Sequence, residues 1–411
     1  MPQHDAHSPA PTQTAGPVND VRGRGFSRRT ALADATRWID ARTAPLPAET
    51  VPLAAAAGRV LAVDVAAPAD RPAADRATRD GVAVRAEETL GAGAYAPVLL
   101  MAGAATPVAA GQPLPPGMDA VLPVEAAQSS PLGIEVLAPL AAGDGVERRG
   151  EEARSGAPLL PAGRVLRPQD VGLLAALGFD GVSVVRRPWV RVLVVGGPRD
   201  DDSGGGPDAG GPLLAALVAR DGGLAEVRGP LPADRAALAA ALAEPGADVV
   251  LVCGRTGVGE DDVAPLALAD AGTLAIHGVA LRPGDSAGLG LAGSVPAVLL
   301  PGEPAACLAA YDLLGARAVR RCAGLDGRPP YAVVRRIAAR KLVSEIGTAE
   351  LYRVRLTADG GVEPLASAAV PGLAAAARAD GFVLIPAESE GVAPGAPTNV
   401  WLYDPPPNAL C

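Results

Sequence analysis

The stretch Asp248-Val249-Val250-Leu251-Val252-Cys253-Gly254-Arg255-Thr256-Gly257-Val258-Gly259-Glu260-Asp261-Asp262 runs an unbroken apolar segment straight into a glycine-rich loop that ends in three acids. A short apolar run without alternation is what a strand buried on both faces looks like, which points to a parallel sheet covered by helices. Working outward from it, strands are expected at 190–195, 225–229, 248–252, 273–281 and 297–300, and helices at 212–222, 234–244, 263–271 and 304–316. That alternation makes 188–325 a three-layer α/β domain. Ligands of such domains sit beyond the carboxyl ends of the strands, where loops meet helix N-termini.

Three loops there carry candidate chemistry. In the first, Gly254, Thr256, Gly257 and Gly259 leave room for backbone N–H groups to approach an anion, and Asp262 supplies a carboxylate able to hold Mg²⁺ or polarise a water. No Gly-Lys-Ser/Thr follows, so the loop is not a P-loop. A tight strand-to-helix turn with a solvated acidic helix start accounts for the same residues. In the second, Leu300-Pro301-Gly302-Glu303-Pro304, a proline at the first helical turn is expected to leave neighbouring N–H groups free to face an anion; an ordinary βα turn is the plainer reading. The third is Leu281-Arg282-Pro283-Gly284-Asp285-Ser286, where Arg282 offers a planar fork suited to phosphate. Three such loops in one domain favour a polyanionic small molecule over what any one of them implies.

The rest of the chain reads differently. Residues 1–24 are expected to be a disordered tail, with order beginning near Arg24 and Ser27 capping a helix that carries Ala31, Leu32, Ala35 and Trp38. Segments 25–56 and 155–187 read as an extended linker or dimerisation domain, with a helix from Pro168 closed by Gly178, and a strand is expected over Arg59–Val65, at the start of the next segment. Short strands divided by Gly and Pro make 57–154 an inserted β-rich domain and 331–405 a compact C-terminal β domain. The fold class is therefore α/β plus β, multidomain. In the inserted domain, Asp80 lies in a charged block before a strand, and Arg149 and Glu152 lie in a second; a hairpin turn and a solvated loop are their plain readings.

Composition narrows the function. Only 3% of the 411 residues are aromatic, and 45 acids against 36 bases give a net charge of −9, so bases have little to stack on and a phosphate backbone meets the wrong sign. Nucleic acid is not expected as a partner. Of three histidines, His4 and His7 lie in the leader, leaving His277 alone and excluding a His-based zinc cluster. Cys253, Cys307, Cys322 and Cys411 are dispersed without CxxC, as expected of reduced thiols in the cytoplasm. No apolar run reaches the roughly 18 residues of a membrane span, so no membrane partner is expected.

Taken in order, these blocks resemble the molybdopterin molybdenumtransferase family, the MoeA type that includes the C-terminal domain of gephyrin. The resemblance covers roughly 25–405. It rests on Arg79-Asp80-Gly81-Val82-Ala83-Val84-Arg85, on Gly111 to Val121, and on Arg149-Gly150-Glu151-Glu152 with Leu160-Pro161-Ala162-Gly163. The loop ending at Asp262, Arg282-Pro283-Gly284 and Leu300 to Pro304 complete it. It implies a dimer of four-domain subunits, with a three-layer α/β molybdopterin-binding domain and a C-terminal β barrel-like domain. It further implies a Mg²⁺-dependent reaction in which adenylylated molybdopterin and molybdate yield molybdenum cofactor and AMP, at a site between the third domain of one subunit and the second of the other.

By position, the resemblance makes Asp262 and Asp80 the catalytic acids, Asp262 also the Mg²⁺ ligand. Gly254, Thr256, Gly257, Gly259, Arg282, Pro301, Gly302, Arg149 and Glu152 would bind substrate. Where the family has Gly-Gly-x-Ser, a lysine, Asn and Thr-Gly-Asp-Glu, this chain has Gly254-Arg255-Thr256-Gly257, Asp285, Glu303 and Val195-Gly196-Gly197-Pro198. The first exchange displaces a hydroxyl. Asp285 and Glu303 are expected to repel molybdate, which makes a non-catalytic pterin-binding or scaffold protein the alternative to an active enzyme.

Overall fold

The computed structural model describes residues 20–101, 103–196, 208–366 and 372–404; His4, His7, Gly197, Pro198 and Cys411 lie outside them. The chain divides into two compact units, residues 48–184 and the remainder.

The larger unit is organised by one six-stranded sheet. Its elements are β1 (Trp189–Val195), α1 (Gly210–Arg220), β2 (Leu224–Leu231), α2 (Arg235–Ala243), β3 (Val249–Cys253), α3 (Ala264–Ala271), β4 (Gly272–His277), β5 (Gly288–Ala292), β6 (Val295–Leu300), α4 (Pro304–Ala310) and α5 (Ala316–Cys322). The spatial order is β2-β1-β3-β6-β5-β4. The first four strands run parallel, and β5 and β4 continue the sheet antiparallel. All five residues of β3 are buried, as an unalternating apolar run requires. Successive residues of β1 feed opposite cores: Val190, Val192 and Val194 pack with α1 and α4–α5, Leu193 and Val195 with α2 and α3. Those two cores are the interfaces between the sheet and the helix layer on each of its sides.

Several elements depart from the sequence expectation. The strand expected over 273–281 is two pieces: β4 stays in this sheet, while Leu281–Arg282 leaves it and pairs parallel with Ala349–Leu356 of the C-terminal β domain. β5, Gly-Leu-Gly-Leu-Ala, which lies between β4 and β6 in the sheet, carried no strand signal because glycine weakens a strand unless another backbone needs the room. The helix expected over 304–316 runs on to Cys322 through a wide turn at Tyr311–Gly315. Ser27 does not cap the first helix, which begins at Leu32 with no side-chain cap. Residues 20–24, the end of the expected tail, are tied down, with Gly23 N–H donating to Val258 O at 2.8 Å.

The C-terminal β domain, also in this unit, orders Leu281–Arg282, Ala349–Leu356, Gly381–Ile385, Pro397–Leu402 and Ala332–Ile337 in one sheet. A buried polar cluster joins it to the helices: Arg220 donates to Asp221 at 2.7 Å and to Asp312 at 2.9 Å, and the Tyr331 hydroxyl donates to Asp312 at 3.0 Å. Asp312 sits in the wide turn and is 2% exposed.

The smaller unit pairs Ala48–Pro52 with Gly181–Val185 and packs the helix Pro168–Ala176 on a core of Leu61, Leu166, Leu174 and Val184. The strand expected over Arg59–Val65 is reduced to single bridges at Val60 and Leu61 and a two-residue strand at Val65–Ala66. Two three-stranded sheets, built on Gly81–Val84 and Gly133–Val136, make the β-rich part. No helix of the described residues is long and apolar enough to cross a membrane.

Replacing Asp312 with Ala removes the acceptor of the Tyr331 hydroxyl and half of the Arg220 guanidinium's acid pairing, leaving that hydroxyl only its contact with Arg220. It is expected to cost about 3 kcal/mol of unfolding free energy by urea denaturation; a change under about 0.5 kcal/mol would show the cluster to be energetically idle.

Candidate functional site

Parallel register decides where the site lies. Val194 is paired with Cys253, and Cys253 with Leu300, so β1, β3 and β6 end side by side. The three following segments therefore line one open cleft of about 460 Å³. Its walls are Val195 and Gly196 after β1, Gly254, Arg255, Thr256, Gly257 and Asp262 after β3, and Pro301, Gly302 and Glu303 after β6, with Ser286 beside them. That volume suits a small molecule.

Local geometry explains the loop composition. Gly254 turns the chain at φ +98°, and a side chain there would stand 2.5 Å from Val195 O. A methyl group on Gly257 would stand 2.6 Å from Asp262 Oδ2. Asp262 Oδ2 accepts the Gly259 N–H at 2.7 Å, so Gly259 holds the acid without itself lining the cleft. Asp262 Oδ1 accepts no hydrogen bond from a described residue and is open to a cation or water. Among described residues the backbone N–H groups of Arg255, Thr256, Gly257, Gly302 and Glu303 likewise have no partner. Thr256, 2% exposed, places its hydroxyl 3.2 Å from that of Ser286, so the loop retains hydroxyl groups although Gly257 has none.

The loop is braced from behind. The Thr256 carbonyl accepts from His277 Nε2 at 2.9 Å, which fixes the proton on that nitrogen, and Phe26 meets the imidazole edge-on at 4.9 Å. Burial pushes the His277 imidazole below its ordinary value, the Thr256 hydrogen bond opposing in part. Arg22 donates to Glu260 O at 3.1 Å. No sequence signal marked Arg22 or His277 as supports, because both act across more than twenty residues of chain.

The second loop corrects an expectation. The N–H groups at the start of α4 are not free: the Glu303 carboxylate accepts from Ala305 at 3.0 Å, from Ala306 at 2.6 Å and from Gly372 at 2.7 Å. Glu303 is a helix cap whose charge already rests on the positive end of the helix. Asp285 is likewise paired, with Arg29 at 2.7 Å, and does not line the cleft. The expected repulsion of an anion by these two acids is thereby removed for Asp285 and reduced for Glu303.

Arg282 is also displaced from its expected place. Because its strand joins the C-terminal sheet, its guanidinium meets Glu345 at 3.1 Å and does not line the cleft. The arginine that does line it is Arg255.

Asp80, Arg149 and Glu152 belong to the smaller unit. Asp80 Oδ1 accepts the Ala110 N–H at 2.7 Å, Arg149 pairs with Asp70 at 2.7 Å, and Glu152 with Arg71 at 2.8 Å. The loop read as merely solvated is thus stitched to residues 70–76, with Arg76–Glu147 at 2.7 Å as a further tie. Cys253, Cys307 and Cys322 are buried and free.

Comparison with known proteins agrees from residue 30 to residue 403. Three family models match in succession: "MoeA N-terminal region (domain I and II)" at residues 30–178, "Probable molybdopterin binding domain" at 191–321, and "MoeA C-terminal region (domain IV)" at 335–403. Molybdopterin molybdenumtransferase 2 of Mycobacterium tuberculosis is 32% identical over 386 residues, covering 86% of this chain and 94% of the relative. The molybdopterin molybdenumtransferase of Synechococcus elongatus is 29% identical over 395 residues, covering 87% and 94%. A crystal structure of a molybdopterin biosynthesis MoeA protein from Pyrococcus horikoshii superposes with TM-score 0.77 at 27% identity, covering 92% of this chain and all of that one.

Two outcomes follow from the site's construction. Glu303→Ala uncaps α4 and is expected to cost roughly 1–2 kcal/mol, while added phosphate should raise the variant's melting temperature more than the parent's by binding the freed N–H groups. His277, with its value below the ordinary 6.5, favours the native state above that pH and loses this contribution as the pH falls through its lower native value. Between pH 7 and 5 the parent should therefore lose more stability than His277→Gln, as compared by denaturant titration at each pH.

Proposed function

Since this chain belongs to the MoeA family, as the extent of its identity to the mycobacterial relative shows, we propose that the cleft at the ends of β1, β3 and β6 is where it binds its substrates. The protein is a transferase of molybdenum cofactor biosynthesis that inserts molybdate into adenylylated molybdopterin with release of AMP. A non-catalytic scaffold is not favoured, because the similarity to relatives named as transferases runs through all the matched domains.

The observation that carries the proposed site is the set of unclaimed N–H groups on Arg255, Thr256, Gly257, Gly302 and Glu303, gathered with the Thr256 and Ser286 hydroxyls on one cleft. Donors fixed by the fold grip phosphate and molybdate oxygens without reorganising, which is what stabilises charge as a phosphoanhydride breaks. Pro301, with no N–H, shapes the wall. Asp262 fits the donor set of Mg²⁺: an oxygen-only site in which one carboxylate oxygen is open and substrate phosphates supply the rest. When bound, the ion would neutralise charge on the phosphate oxygens. Asp262, held by Gly259, orients that ion or the attacking water. Asp80, Arg149 and Glu152 are proposed to serve the same reaction, in a cytoplasmic homodimer. Arg282, turned to Glu345, is given no substrate contact.

With adenylylated molybdopterin, Mg²⁺ and molybdate, the purified protein should release AMP, and Asp262→Ala should slow that release on the order of a hundredfold or more. Binding of the pterin without AMP release by the parent would restore the scaffold reading. Full activity in the Asp262 variant would remove this residue from the mechanism.

A further inference from the structure

Arg255 is the one non-glycine residue among those described whose backbone lies in the left-handed region, at φ +56°. A residue with a Cβ is uncommon in that region, and such residues gather at active sites and ligand clamps. The surroundings here are specific. The Arg255 carbonyl accepts the Ala264 N–H at 3.0 Å, fixing the peptide at the base of α3. Across the cleft, Gly196 leaves the space that the guanidinium fills: a methyl group there would lie 3.2 Å from Arg255 Nε.

The guanidinium is then left for a ligand. Its side chain is 24% exposed, and among the described residues its nearest acid, Asp261, is 3.8 Å away, beyond hydrogen-bond reach and itself 76% exposed. Arg317 of the same unit, by contrast, is held by both oxygens of Asp40 at 2.6 Å. Arg255 thus sets a planar donor fork beside three unclaimed backbone N–H groups, its own and those of Thr256 and Gly257, in a cleft with two hydroxyl groups. A fork flanked by single donors matches a tetrahedral dianion.

Resting on the substrate cleft proposed above, we infer that Arg255 is a specificity-determining residue of this chain, gripping a tetrahedral oxoanion, either a phosphate of the pterin substrate or molybdate, with a side chain whose backbone conformation is unfavourable for folding and serves binding.

Arg255→Gly separates binding from folding, because glycine adopts the left-handed conformation freely. The variant should melt at or above the parent temperature. Calorimetry with sodium molybdate and with inorganic phosphate, and KM values for molybdate and for adenylylated molybdopterin in the AMP-release assay, then read the grip. On the order of tenfold or greater weakening is expected for the anion it holds, with partial recovery in Arg255→Lys. Weakening confined to molybdate assigns molybdate, and weakening confined to phosphate and the pterin assigns the phosphate. Unchanged affinity for both, or a lower melting temperature in Arg255→Gly, overturns the inference. If the parent releases no AMP yet the variant still binds an oxoanion more weakly, the reaction is at fault and the grip stands. AMP release with unaltered KM values and affinities leaves the reaction and removes the grip.

Discussion

The parallel register of β1, β3 and β6 is the constraint on which the site depends. These strands are buried on both faces, so a slip of one residue would exchange the two cores that Val192 and Leu193 serve. Held in register, Val194, Cys253 and Leu300 deliver three chain segments to one edge at the same level. Amide groups with no partner are tolerated there because the sheet has ended and the cleft is open to water. Within the layers the same groups would each cost more than a hydrogen bond returns.

Charge is distributed by the same economy. The acids nearest the cleft are satisfied by the protein itself: Glu303 by the first turn of α4, Asp285 by Arg29, and Asp262 through one oxygen by Gly259. A chain of net charge −9 can thus keep a local basin for an anion without a concentration of bases around it. Loop amides and Arg255 supply the positive potential.

Much of this was legible in the residues. The run at 248–253 and the glycines after it placed one wall of the cleft, and Pro301-Gly302 placed another. Arg282 lies outside this cleft because a two-residue strand changes sheets, which sequence spacing cannot show. Glu303 misled because a side chain folding back on its own helix leaves the motif unchanged and reverses its meaning: the N–H groups are there, already taken. Arg255 carried no signal, since its significance lies in a backbone angle. Support by Arg22 and His277 is a tertiary matter, set by which segments the sheet order brings together. Of the charged blocks in the smaller unit, the sequence showed the residues but not that Asp70, Arg71 and Arg76 would claim them.

The crossing of Leu281–Arg282 into the C-terminal sheet also bears on how the protein can be divided. Leu281 is fully buried and pairs with Ala349, so the β domain borrows an edge from the chain that also builds the α/β layers. Cutting the gene after residue 325 would leave that edge and the apolar surface around Leu281 bare to solvent, a place where copies of the fragment would stick to one another. A lone α/β fragment would need new polar residues along this seam before it could stay in solution as a separate protein.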